Sequence, residues 1–168
     1  MRYIAAILLA LACASPEKGA GSMNISSAVF KDGTSIPSKF TCDGADTSPP
    51  LAFDGIPNGA KSLALIVDDP DAPGGTFDHW IAWNIPPNTT SVAEGQAPKG
   101  VSARNGFGKS GYGGPCPPNG EHRYFFKLYA LDTTLNLPAS SSKSDLENAM
   151  KDHTLAKAQM MGRYNRGK

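Results

Sequence analysis

The sequence predicts one mostly antiparallel β domain followed by one or two C-terminal helices. Three observations carry that expectation. Apolar runs of strand length recur at residues 63–67 (LALIV), 80–85 (WIAWNI) and 124–131 (YFFKLYAL). Each is bounded by Gly, Pro, Asp or Asn clusters, as strands are. Helical spacing appears only after Leu137. At 168 residues the chain suits a single domain with a substantial core, and no internal repeat is present.

Taken in order, residues 24–30 alternate weakly through Ile25, Ala28 and Phe30 and read as a first strand. Lys31-Asp32-Gly33 reads as a turn, 36–40 as a short element, 41–50 as a loop and 51–53 as another extended piece. Asn58-Gly59 is a hairpin-turn signal before the 63–67 strand. Asp68, Asp69, Pro70, Asp71, Ala72 and Pro73 end that strand, and a Gly74-Gly75 turn leads to Asp78 and His79 at the entrance of the 80–85 strand. Pro86-Pro87 closes it, and residues 88–103 form a polar connection with one apolar point, Val92. Residues 106–120 hold six glycines and three prolines. Proline removes amide donors and glycine costs backbone entropy, so neither a helix nor a central strand survives there. This loop feeds the 124–131 strand, with His122, Arg123 and Tyr124 at the seam. Near the end, Ser144 is placed to cap a helix over 145–151 with Glu147 at the capping-box position. Leu155, Ala158, Met160 or Met161, and Tyr164 then recur at helical spacing.

Lys and Arg number 16 against 15 Asp and Glu, a net charge of +1, so no basic surplus points to nucleic acid. Residues 1–12 (MRYIAAILLALA) combine a cationic start with an apolar run too short to span a bilayer, the pattern of a signal peptide. Ala10 and Ala12 precede Cys13, which resembles a bacterial lipoprotein processing site with Cys13 as the acylated, membrane-tethering residue. Cleavage by an ordinary signal peptidase after Ala12 or Ala14 is the alternative. Residues 1–22 are thus expected to be signal and tether, and 23–168 the folded domain in a periplasmic or membrane-anchored protein.

Catalytic signatures fail on inspection. Gly108-Lys109-Ser110 lacks the earlier glycine of a phosphate-binding loop, since Ala103 stands there. The same stretch misses the hydrolase elbow because Tyr112 follows Gly111 where a second framing glycine is required. His79, His122 and Asp71 offer donors for zinc or iron, but no metal-motif spacing connects them. No metal or cofactor is expected, and no turnover. Two of the three histidines, His79 and His122, lie at strand entrances beside Gly/Pro loops, which is the setting of binding groups on a rigid scaffold. Glycine amides in Tyr112-Gly113-Gly114 can face an oxyanion, and the histidines can donate to it. Asp69 or Asp71 can hold an imidazole in its charged form or pair with a ligand cation such as an ethanolamine ammonium.

DPDAP, then DHW, then GYGGPCPPNGEHRY resemble the phosphatidylethanolamine-binding protein family, in its bacterial Raf-kinase-inhibitor-like branch. FTCDGADTSPPL, RYFFKLYALD and AKAQMMGRY extend the resemblance from about Phe30 to the C-terminus. It implies a large central sheet packed on a smaller one, with helices nearby. It also implies a pocket for phosphate-bearing head groups and small anions, formed by Asp69, Asp71, His79, Gly114, Pro117, His122 and Tyr124. A protein that inhibits a kinase or protease by docking is the alternative, with no partner identifiable from the sequence; a metal-dependent enzyme is a third reading. If Cys13 is acylated, two cysteines remain in an oxidising compartment, and a Cys42–Cys116 disulfide is expected. Two buried thiols are the alternative.

Overall fold

The structure, a computed structural model, describes residues 22–166. Among these described residues, eight strands form two antiparallel sheets. They are β1 (Asn24–Ser26), β2 (Leu51–Asp54), β3 (Ser62–Asp69), β4 (Phe77–Ile85), β5 (Ser91–Val92), β6 (Val101–Ser102), β7 (Glu121–Leu131) and β8 (Thr154–Asn165), with one helix, α1 (Lys143–Met150), before β8. The larger sheet has the order β6-β4-β3-β7-β8 and the smaller one β1-β2-β5. A large antiparallel-rich sheet packed on a smaller one is therefore the architecture.

β3 sits at the centre of the large sheet and is buried at every residue, which is why it reads as a continuous apolar run. Period-two alternation divides its side chains between two cores. Leu63, Leu65 and Val67 face the small sheet and pack with Ile25, Leu51 and Phe53. Ala64 and Ile66 face the other way, against Trp83 and the α1 residues Leu146 and Met150. The same alternation on β7 turns His122, Tyr124, Phe126 and Leu128 inward.

Several local expectations change. Asp68, Asp69, Asp78 and His79 lie inside β3 and β4, because the pairing ladder carries both strands past the apolar runs. Residues 38–40 form a short 3₁₀ turn. Asn58-Gly59 does turn, with Gly59 at φ 93°, but it joins β2 to β3 in different sheets and so makes no hairpin.

The largest correction is at the C-terminus. The segment expected to continue as helix is β8, paired with β7 from Glu121↔Asn165 to Leu131↔Thr154. Ala156, Ala158, Met160, Gly162 and Tyr164 face inward with period two. Leu155, counted in the apolar set that suggested a helix, is 46% exposed and does not join the buried face. The unpaired edge of β7 supplies what local propensity could not show, since strand preference depends on the partner.

α1 begins two residues earlier than expected, at Lys143. Ser142, not Ser144, is the N-cap: its hydroxyl accepts from Asp145 N at 3.1 Å, and Asp145 Oδ2 accepts from Ser142 N at 2.8 Å. Asp145, not Glu147, closes the capping box. Ser142→Ala should lower unfolding free energy by about 1 kcal/mol and Ser144→Ala by less than about 0.5 kcal/mol, both read from denaturant melts. Equal effects would contradict the cap.

Candidate functional site

β3 ends, and its neighbours β4 and β7 begin, at the same end of the large sheet. Asp69, the last residue of β3, pairs with Phe77 on β4 and reaches His122 on β7. Their side chains form a cleft with the 106–118 loop, enclosing a cavity of about 290 Å³ whose lining includes Asp69, His79, His122, Pro117 and Cys116.

The centre of the cleft is a buried pair. His122 Nδ1 donates to Asp69 Oδ2 at 2.7 Å, with the two side chains only 7% and 5% exposed. Asp69 Oδ1 accepts from the Asp71 backbone amide at 2.8 Å, so both carboxylate oxygens are engaged. Donation from Nδ1 leaves Nε2 as the second ring nitrogen of His122, protonated only when the ring is cationic.

His79 is held differently. Its Nδ1 lies 2.6 Å from the Gly113 carbonyl and donates to it, while Gly113 N donates to the His79 carbonyl at 2.9 Å. This reciprocal pair ties the loop to β4. Burial lowers the His79 pKa below its usual value, outweighing the upward pull of the Gly113 carbonyl and of the Asp69 and Asp78 carboxylates. The neutral ring with its proton on Nδ1 leaves Nε2 as an acceptor.

The loop is clamped along its length. A disulfide joins Cys42 to Cys116, and the expected cross-link is therefore present. Closing a separation of 74 residues stabilises by about 4 kcal/mol in the chain-entropy account. Cys42 N donates to the Pro115 carbonyl and Tyr112 Oη to the Phe40 carbonyl. Gly114 N donates to Asp46 Oδ1 at 2.7 Å. A Cβ at Gly114 would come within 2.6 Å of that oxygen and of the Phe40 carbonyl, so only glycine fits.

Asp69, His79, Pro117 and His122 of the expected site meet in the cleft. Asp71, Gly114 and Tyr124 do not line it. Asp71 turns to Arg123, whose Nε and Nη2 donate to its two oxygens at 2.9 and 2.7 Å. That guanidinium holds the Asp71 carboxyl down to about 2. The Gly113 and Gly114 amides expected to face an oxyanion are consumed by His79 and Asp46. Tyr124 is fully buried, its ring 5.2 Å from that of His79. Its hydroxyl lies beside Asp69 but outside hydrogen-bond geometry, and burial raises the phenol pKa above its ordinary value. Phe77 and Phe107 line the cleft and were missed; a lone phenylalanine among glycines, 46% exposed in the structure, was the available signal for Phe107. Among the described residues no group of three or more His, Cys, Asp or Glu is arranged to hold a metal ion. Cys13 lies outside the described residues.

Two packed antiparallel sheets with a histidine–carboxylate cleft at one sheet end define the class of domain. The phosphatidylethanolamine-binding protein family matches residues 26–165, and the chain belongs to that family. A UPF0098 protein of Methanothermobacter thermautotrophicus is 52% identical over 151 residues, covering 86% of this chain and all of its own length. A second UPF0098 protein, from Pyrococcus horikoshii, is 46% identical over 95% of this chain and 85% of its own. Among solved structures, a phosphatidylethanolamine-binding protein homolog of Chlamydia trachomatis superposes with a TM-score of 0.84 at 42% identity, covering 87% of this chain and 99% of its own. Escherichia coli YbcL, described as a member of the mammalian family, gives 0.81 at 33% identity over the same shares.

The His79 environment has a consequence for stability. Because its pKa is lowered by folding, the unfolded chain binds more protons just below pH 6.5. Stability therefore falls as pH drops below the ordinary histidine value. His79→Asn keeps an amide donor for Gly113 and removes the titration. Melting temperature against pH should lose part of its acid decline in this variant; an unaltered slope would show that His79 does not contribute.

Proposed function

We propose that this chain is an exported binding protein for small phosphate-bearing anions, and not an enzyme. The observation that carries the reading is the buried Asp69–His122 pair on the wall of a cavity of about 290 Å³. A cationic His122 balanced by Asp69 presents Nε2–H to a ligand oxygen, a charge-assisted bond stronger than a neutral one. His79 adds a donor when protonated, or accepts from a protonated phosphate oxygen when neutral. The phosphatidylethanolamine-binding family to which the chain belongs supports phosphate chemistry for the ligand.

Calorimetry with phosphoethanolamine tests the site. His122→Ala should weaken binding by ~1.5–3 kcal/mol, the worth of a hydrogen bond to a charged group. Retained wild-type affinity in both His122→Ala and His79→Ala would remove the site.

Export and anchoring belong to the same proposal, on the strength of the apolar start and Cys13. Mass spectrometry of the mature protein should find an acylated N-terminal Cys13. An intact Met1 would defeat export, and an unmodified chain beginning at Cys13 or Ser15 would defeat acylation alone.

A further inference from the structure

Within the cleft the two ends differ in chemistry. The deep end carries Asp69, His79 and His122. The mouth is formed by the more exposed Phe77, Phe107, Pro73 and Pro118 together with small residues, and no lysine or arginine lines the cavity among the described residues. Phe77 and Phe107 pack edge to face with ring centroids 4.8 Å apart, and the Phe107 ring lies 5.6 Å from that of His79.

Phe107 is held at this mouth by design of the loop. Asn105 is 95% buried, being only 5% exposed, and its Oδ1 accepts from Phe107 N and Lys109 N at 3.0 and 3.2 Å. Its Nδ2 donates to the Gly111 carbonyl at 2.9 Å. A Cβ at Gly106 would stand 2.5 Å from the Phe77 ring, and one at Gly113 2.5 Å from the Phe107 ring. Both glycines are required for the rings to lie where they do. A fixed loop thus keeps a phenylalanine 46% exposed, at a cost in hydrated apolar surface that a ligand covering it would remove.

The carboxylates that could have received a ligand ammonium are already engaged. Asp69 Oδ2 takes His122 and Oδ1 takes the Asp71 amide, in a side chain only 5% exposed. Asp71 is bound by Nε and Nη2 of Arg123 and does not line the cavity. The two phenyl rings contact one another edge to face, forming one apolar wall instead of the open box that encloses a cation.

Building on the anion-site reading, we propose that the ligand is a small organic phosphomonoester whose organic end is apolar and uncharged. Phosphate sits against His79 and His122, and the carbon substituent covers Phe107 and Phe77. Phe107 is then the residue that sets specificity.

n-Propyl phosphate and phosphoethanolamine differ by a methyl in place of an ammonium, so calorimetry on the mature protein separates the alternatives. With wild type, n-propyl phosphate should bind about tenfold or more tightly than inorganic phosphate and more tightly than phosphoethanolamine. Phe107→Ala should bring the ratio of propyl to inorganic phosphate affinity close to one, and Phe107→Leu should keep most of it. If phosphate binds but the propyl ester gains nothing, or the ratio survives Phe107→Ala, the inference falls and the anion site stands. Tighter binding of phosphoethanolamine or phosphocholine than of propyl phosphate would assign the mouth to a cation and equally overturn it. No binding by any of the four compounds removes the anion site and this inference together.

Discussion

The structure turns on one buried interaction, the bond between His122 Nδ1 and Asp69 Oδ2. A carboxylate this deeply buried is tolerated only when its oxygens are paired, and breaking such a pair leaves an uncompensated charge that costs several kcal/mol. The fold meets that demand by geometry. β3 is the central strand, so its last residue can be reached from both sides, by β7 through His122 and by the chain reversal that returns the Asp71 amide to Oδ1. Arg123, next to His122, then binds Asp71, so the residues that satisfy Asp69 are themselves fixed.

The loop facing this pair has no regular structure and is held by cross-ties to two other parts of the chain and within itself. The Cys42–Cys116 bond and the Asp46–Gly114 contact tie it to residues 40–46, His79 ties it to β4, and Asn105 ties it to itself. Glycine and proline make such a path sterically possible; the cross-ties make it unique. Preorganisation of this kind lowers the entropy lost when a ligand is bound.

Adjacent acids on β3 serve opposite faces. Asp69 points into the cleft, whereas Asp68 points to the opposite face, where Nζ of Lys127 on β7 lies 2.7 Å and Nζ of Lys143 on α1 3.4 Å from its Oδ2. Lys143 also stands 2.8 Å from Asp78 Oδ1. One acid thus helps seat the helix while its neighbour builds the site, a division that follows from the two-residue period of a strand.

Much of this was legible in the sequence. Apolar runs bounded by turn residues marked β3, β4 and β7, because a central strand buried on both faces leaves a continuous signature. Asp69, His79 and His122 were visible as chemistry-bearing residues at the ends of those runs, and the cysteine pair in the Gly- and Pro-rich loops. Other features were decided only by tertiary structure. Whether residues 154–165 became helix or strand depended on the unpaired edge of β7, more than twenty residues earlier at every point of contact. Asp71 went to Arg123 and the Gly113 and Gly114 amides to His79 and Asp46, since hydrogen-bond partners distant in sequence compete for the same atoms. A residue's type, run length and turn chemistry are local and can be read directly; which partner each polar group finds is set by the packing of the whole chain.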